Sequence, residues 1–258
     1  MPAPEERPRP PFDFSGMTAL VTGGSRGIGA AVSIELARCG ARVVINYRED
    51  AASAQATVRR IEAEGGAASA ECANLVHPEE IRDLFGRIGG RLDFLVHNAA
   101  IGSFKPVLEV RPNQWDLSLS VNARALLLCA QSALPLMEGR GGAIVGVSSL
   151  GSARVVPEYG AIGASKAAME SLVRSLAVEL APRGIRVNAV AGGVIDGPTI
   201  RRHPRAAELI DRARAHAPAG RLGTAEELAA AVLFLCSPLS AGIAGQTIVV
   251  DGGASLRV

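Results

Sequence analysis

The chain has 258 residues, a formal net charge of +2, 48% hydrophobic residues and 29 glycines, with only one Trp, two Tyr and six Phe. That length and apolar content suit one large α/β domain or two small ones, and exclude intrinsic disorder away from the ends. The near-neutral balance without a basic stripe argues against nucleic-acid binding, and no run of about 18 apolar residues marks a membrane span. Met1 to Ser15 lacks the apolar centre of a secretory signal, so a soluble, cytoplasmic protein is expected. Cys39, Cys72, Cys129 and Cys236 are scattered through apolar text without a C-x-x-C pair, which predicts reduced core thiols. His77, His97, His203 and His216 have no metal-ligand spacing, and no metal is expected. The basic residues are 25 arginines and only two lysines, Lys105 and Lys166, while Tyr47 and Tyr159 are the only tyrosines. Chemistry that needs a phenol or an amine therefore has very few candidates.

In chain order, residues 1–15 form a Pro-rich, charged leader that predicts a flexible segment, with one domain over residues 16–258. MTALVTG, from Met17, reads as a buried strand, and GGSRGIGAAVSIELARCG as a Gly-rich turn and a helix closed by glycine. Alternation continues with strand ARVVIN, helix SAQATVRRIEAEG, strand ASAECAN, helix PEEIRDLFGRIGG and strand LDFLVHNAA. NQWDLSLSVNARALLLCAQSALPLM predicts one long helix, GAIVGVSS a buried strand, SKAAMESLVRSLAVELAP a helix and IRVNAVAG a strand. An arginine-rich stretch, helix AEELAAAVLFLCS and strand QTIVVDGG finish the pattern. Apolar strands alternating with helices define a parallel sheet covered on both faces, a doubly wound Rossmann-type α/β fold.

Gly23, Gly27 and Gly29 fall in the first strand-to-helix turn, where glycines let backbone N–H groups approach a pyrophosphate at a helix N-terminus. The G-x-x-x-G-x-G spacing is by itself a weak signal, and a plain tight turn is the competing reading. At the end of the second strand an acid would bind the ribose hydroxyl of NAD and repel a 2′-phosphate. Here that strand ends in Asn46, Tyr47 and Arg48, with Arg26 inside the glycine turn, which favours NADP(H). Glu49 and Asp50 follow directly, so Arg48 also reads as a solvated surface charge.

TGGSRGIG, HNAA at His97–Ala100, Asn122 in SVNARA, VSS at Val147–Ser149, Lys166 in ASKAA, RVNAVAGG and GQTIVVDGG occur in order over Met17–Val258. In these motifs the sequence resembles the short-chain dehydrogenase/reductase superfamily. The resemblance implies a seven-stranded sheet, a homotetramer, and cofactor contacts from Gly23, Ser25, Arg26, Gly27, Ile28, Gly29, Tyr47, Arg48, Asn74, Leu75, Asn98, Ala99, Lys166, Gly193, Val194 and Ile195. Ordinary members carry a catalytic tyrosine four residues before the lysine, but Ile162 stands there in this chain. Tyr159 instead precedes Lys166 by seven residues, a Y-x6-K spacing that on one helix stacks the two side chains about two turns apart, roughly 10 Å. With AGGVIDGP and APAGRLGTAEEL, that spacing resembles the NADPH-dependent enoyl-acyl-carrier-protein reductase III branch, the FabL type.

By that resemblance Tyr159 hydrogen-bonds a thioester oxygen, Lys166 holds the nicotinamide ribose, Asn122 supports the lysine and Asn98 shapes the cofactor floor. Tyr159 packing on the core is the bland alternative. Ser149 either faces substrate or satisfies a strand end, and Asn122 and Asn98 have structural readings of their own. Gly192 stands for the usual proline, Gly197 for the usual threonine and Ala100 for a glycine. Arg201, Arg202, Arg205, Arg212 and Arg214 lie in the expected substrate lid, about 197–220. They either meet an acyl carrier protein or pantetheine phosphates, or form a solvated face balanced by Glu208 and Asp211. The expected activity is reduction of the 2,3 double bond of an acyl-thioester substrate. The alternatives are a carbonyl reductase using Tyr159 as proton donor, and a non-catalytic NADP(H)-binding regulatory protein.

Overall fold

The computed structural model describes residues 11–256. Seven strands form one sheet: β1 (Thr18–Thr22), β2 (Arg42–Tyr47), β3 (Ala67–Cys72), β4 (Phe94–His97), β5 (Gly142–Ser149), β6 (Ile185–Gly192) and β7 (Thr247–Val250). Their order is β3-β2-β1-β4-β5-β6-β7, with every neighbouring pair parallel. Because the chain runs outward from β1 to β3 and then returns to the other side of β1, the order reverses between β1 and β4. A crevice opens beyond the strand ends at such a reversal, and ligands of doubly wound sheets bind there.

Helices α1 (Gly27–Arg38), α2 (Ala51–Ala63), α3 (Pro78–Ile88), α4 (Pro112–Leu119), α5 (Ala125–Met137), α6 (Gly160–Leu180), α7 (Ala206–His216) and α8 (Ala225–Cys236) make the connections. Two apolar layers result. Leu84, Leu126, Met137, Met169 and Val173 fill one face of the sheet, and Val32, Leu36, Ile61, Val232 and Leu233 fill the other. Both faces being covered is why the strands read as unbroken apolar runs.

Three expectations need correction. The predicted long helix is interrupted: a π-turn at Ser120–Arg124 separates α4 from α5 and carries Asn122. The helical run Pro112–Met137 is long and apolar enough to cross a membrane by length and composition, yet half of its apolar window is buried in the core. Secondly, the domain begins before residue 16. Phe14 is 1% exposed, meets Phe94 edge-on at 4.8 Å and donates its N–H to the Cys39 carbonyl at 2.6 Å. Residues 1–10 of the expected leader lie outside the described residues. Thirdly, Cys39, Cys129 and Cys236 are buried but Cys72 is exposed, because it ends β3 at the sheet margin.

Candidate active site

The crevice is floored by the glycine turn. Gly23 and Gly27 take φ of +61° and +55°, a left-handed conformation that side chains oppose. A Cβ on Gly29 would sit 2.3 Å from the Gly23 carbonyl oxygen, so only glycine lets α1 close onto the turn. A Cβ on Gly27 would instead project toward Pro198, 3.6 Å away, into the space a ligand needs. Arg26, the residue before α1, makes no side-chain cap, which leaves the first N–H groups of the helix to an anion. The Asn98 amide donates to the carbonyls of Thr22 (3.1 Å) and Gly23 (2.9 Å) and holds the turn in shape. Asn46, fully buried, does the same from β2, donating to the Ala73 carbonyl at 3.0 Å and accepting from the Gly23 N–H at 3.4 Å.

A cleft of about 790 Å³ runs from this turn to the start of α6, lined on the cofactor side by Gly23, Ser25, Arg26, Gly27, Ile28, Tyr47, Arg48, Asn74, Leu75, Asn98, Ala99 and Ile195. Gly29 packs beneath the turn, and Lys166, Gly193 and Val194 lie outside the lining, with the Gly193 N–H extending the sheet toward Val250 O at 3.3 Å. Arg26 stands 3.7 Å from Asp50 and Arg48 2.8 Å from Glu49. These pairs are exposed, so their mutual attraction is weak and a phosphate can compete for either guanidinium. The turn, the uncapped helix and the two arginines together fit a dinucleotide carrying a 2′-phosphate.

At the other end of the cleft, Tyr159 is the N-cap residue of α6 rather than part of its first turn, and its carbonyl accepts the first helical bond, from Gly163 N–H at 2.7 Å. Its ring packs on Gly151, where a Cβ would meet the Cδ1–Cε1 edge at 2.5 Å. Burial pushes the phenol pKa upward and a hydrogen bond with Ser149 opposes that shift, so the group stays protonated at neutral pH. Ser149 also accepts from the Gly151 N–H at 3.2 Å, so its hydroxyl serves the strand end and faces the phenol at once. Seven residues on, Lys166 is buried and its Nζ donates to the Val147 carbonyl at 2.6 Å. Val147 and Ser149 lie on one strand two residues apart, about 7 Å, so β5 sets the spacing of the amine and the phenol. Desolvation brings the Lys166 pKa down to about 8, although the Glu170 charge works to raise it. Glu170 itself accepts a short hydrogen bond from Ser148.

Asn122 does not touch Lys166. Its amide donates to Ile101 O at 2.9 Å and Ser165 Oγ at 2.8 Å, and its oxygen accepts from Ile101 N–H at 2.8 Å, so the π-turn fixes both the loop after β4 and the α6 face. Ile162 packs against Gly102, where a Cβ would lie 2.2 Å from its Cγ1, and fills the place four residues before the lysine with an aliphatic wall of the cleft.

Sequence reasoning missed two histidines. His97 is completely buried, with Nδ1 facing Thr22 Oγ1 and Nε2 facing Val121 O, both at 3.2 Å. Desolvation first and the Lys166 charge second bring its pKa down to about 3, so it is a neutral strut between β1 and the π-turn. Its place at the head of HNAA, where β4 meets the cleft, was the available signal. His203 lies in the lid but is buried. Of the lid arginines, Arg201 is held by Asp196, Arg205 by Glu208 and Arg214 by Asp211, whereas Arg202 and Arg212 make no ion pair among the described residues.

Fold and cleft together define a dinucleotide-dependent oxidoreductase of the doubly wound class. Residues 23–255 match the family model described as Enoyl-(Acyl carrier protein) reductase, and the chain belongs to the short-chain dehydrogenase/reductase superfamily. It is 43% identical to 1-cyclohexenylcarbonyl-CoA reductase of Streptomyces collinus, over 92% of this chain and 86% of that protein. A 3-oxoacyl-[acyl-carrier-protein] reductase of Staphylococcus aureus is 36% identical over 92% and 97% of the two chains. Among solved structures, a short chain dehydrogenase from Burkholderia cenocepacia in complex with NADP is similar with a TM-score of 0.86 and 38% identity, over 93% of this chain and 98% of that one.

Proposed function

We propose that the protein is an NADP(H)-dependent reductase of the 2,3 double bond of trans-2-enoyl thioesters. The observation that carries this reading is the exchange at the start of α6: Ile162 walls the cleft where a ketoreductase phenol would stand, and the only phenol there belongs to Tyr159, one turn earlier. NADPH, when bound, supplies the hydride that adds to the β-carbon. Negative charge then develops on the thioester oxygen, the protonated Tyr159 hydroxyl donates a hydrogen bond to it, and a proton drawn from solvent water completes the reduction at the α-carbon. One such donor in a water-excluded site contributes on the order of 3 kcal/mol to the barrier reduction. Lys166 keeps two N–H donors beyond the one spent on Val147 and uses them on the nicotinamide ribose, while its positive charge favours charge building up near the phenol. Arg26 and Arg48 hold the 2′-phosphate, and Asn98 and Asn122 keep the floor of the cleft rigid.

The compound in the name of the S. collinus relative is an α,β-unsaturated acyl-CoA, which supports the same substrate class here. Arg202 lines the cleft mouth and is the candidate contact for a carrier's phosphate or acidic surface. A homotetramer is the assembly proposed from family membership. The test is NADPH oxidation with crotonyl-CoA against acetoacetyl-CoA. Turnover of the enoyl substrate is expected; turnover of the 3-keto compound alone would transfer the protein to the carbonyl reductases, a reading that the Ser149–Tyr159 contact also favours.

A further inference from the structure

The lid and the Tyr159 turn meet in a built contact at His203. This residue follows the 3-10 turn Ile200–Arg202 and precedes α7, and its side chain is 1% exposed among otherwise exposed arginines. Its Nδ1 accepts the Arg205 backbone N–H at 3.0 Å, and because that N–H can only donate, the ring proton is on Nε2. Nε2 in turn donates to the Pro157 carbonyl at 3.3 Å and lies 3.6 Å from Glu158 Oε2. The ring packs on Phe104 with centroids 4.7 Å apart, and Phe104 lies 6.1 Å from the Tyr159 ring.

Glu158 is the partner that makes the contact informative. At φ +59° it is the one non-glycine among the described residues with a left-handed backbone, and it immediately precedes Tyr159. Side chains disfavour that conformation, which persists only where surrounding contacts hold it. Three such contacts exist: the Tyr159 N–H closes the turn on the Val156 carbonyl at 3.2 Å, His203 holds the Pro157–Glu158 side, and the Lys105 N–H donates to the Glu158 carbonyl at 2.9 Å. The direction in which the chain enters α6, and hence the direction of the phenol, depends on this turn.

We propose that His203 is a positioning residue: by gripping Pro157 and Glu158 it couples closure of the lid to the placement of the Tyr159 hydroxyl. The inference rests on the reading of Tyr159 as the hydrogen-bond donor to substrate. When the lid seats over a bound acyl chain, the imidazole seats with it and the turn before α6 is fixed in its strained form. When the lid lifts, the turn keeps its own Tyr159–Val156 hydrogen bond and the Lys105 contact but loses the restraint on its outer side, and the phenol is free to leave its line.

The scarcity of tyrosine makes this measurable. With ring-labelled tyrosine the full-length protein gives two phenol resonances, one of which the Tyr159→Phe variant assigns. In the NADP complex, His203→Ala should shift or broaden the Tyr159 resonance and leave that of Tyr47 in place, with kcat for crotonyl-CoA down by about tenfold and NADPH affinity within about twofold. His203→Gln, which can still donate to Pro157 and accept from Arg205, should recover most of both readouts; it also serves if the alanine variant fails to fold. An unmoved Tyr159 resonance in the His203 variants overturns the proposal, whether or not kcat falls, because any loss then arises elsewhere in the lid. Failure of the underlying reading looks different: Tyr159→Phe would keep its turnover while the His203 variants still moved the Tyr159 resonance.

Discussion

Lys166 is buried, and its pKa of about 8 makes the positive charge conditional on pH. Burial lowers it, so the ammonium is present below about pH 8 and is lost as pH rises through that value. If the charge supports hydride transfer, log kcat/KM should descend with a midpoint near pH 8. Glu170 stabilises the ammonium, so Glu170→Gln should move the descending limb to lower pH. A flat profile from pH 7 to 9, or an unmoved limb in Glu170→Gln, would remove the lysine charge from the rate equation. Tyr159 bears on the same step as a neutral donor, and Tyr159→Phe should lower kcat by about a hundredfold while NADPH affinity stays within about twofold. Single-turnover NADPH consumption measures the first and fluorescence titration the second. At this scale the sequence was informative because amines and phenols are so rare: Tyr159 and Lys166 could be picked out by count, then paired by spacing. His203 and His97 escaped because burial is not written in a histidine's neighbours when those are arginines, as in the lid, or lie across the fold, as at the π-turn.

Among elements, β5 and β6 were legible to the residue, since continuous apolar β-branched text bounded by glycines has one reading in a covered parallel sheet. The turn into α1 was equally plain. The break between α4 and α5 was not, because SVNAR contains neither glycine nor proline, and what widens the helix there is the double hydrogen bond of Asn122 to Ile101, a contact across 21 positions. The glycine turn offers a sharp test of which element constraints serve binding. Gly29→Ala would press its methyl into the Gly23 carbonyl and Asn98, whereas Gly27→Ala meets only an ordinary contact with Pro198 and an unfavourable φ. The first should therefore lower thermal stability of the apo protein as well as NADPH affinity. Gly27→Ala should weaken NADPH by about tenfold with a smaller shift in Tm, of the size set by about 1 kcal/mol of backbone strain. Equal losses of stability in the two variants would contradict the packing argument.

For the molecule as a whole, the parallel sheet and its two covering layers followed from strict alternation of strand and helix, but the edge of the domain did not. Pro-rich, charged text runs up to Pro11, and composition extended that character too far. The residues that decide are Phe12 and Phe14, which stack with centroids 5.9 Å apart, and Phe14 continues into the core against Phe94 on β4. Through Phe14 the start of the described chain covers the same apolar layer that α1 and α8 build, and its N–H closes the end of α1 at Cys39. The segment is thus a structural part of the domain, at a distance from the cleft. Phe14→Ala leaves a cavity that backbone pairing on both sides cannot close, and the expected loss is about 3 kcal/mol or more of unfolding free energy. Urea unfolding should show a lower midpoint at an unchanged slope, and KM for NADPH should hold at temperatures where the variant remains folded. If the midpoint does not move, Phe14 contributes no more than a surface residue and the domain begins at β1; if KM rises in the folded variant, the first strand transmits the change to the glycine turn at its far end.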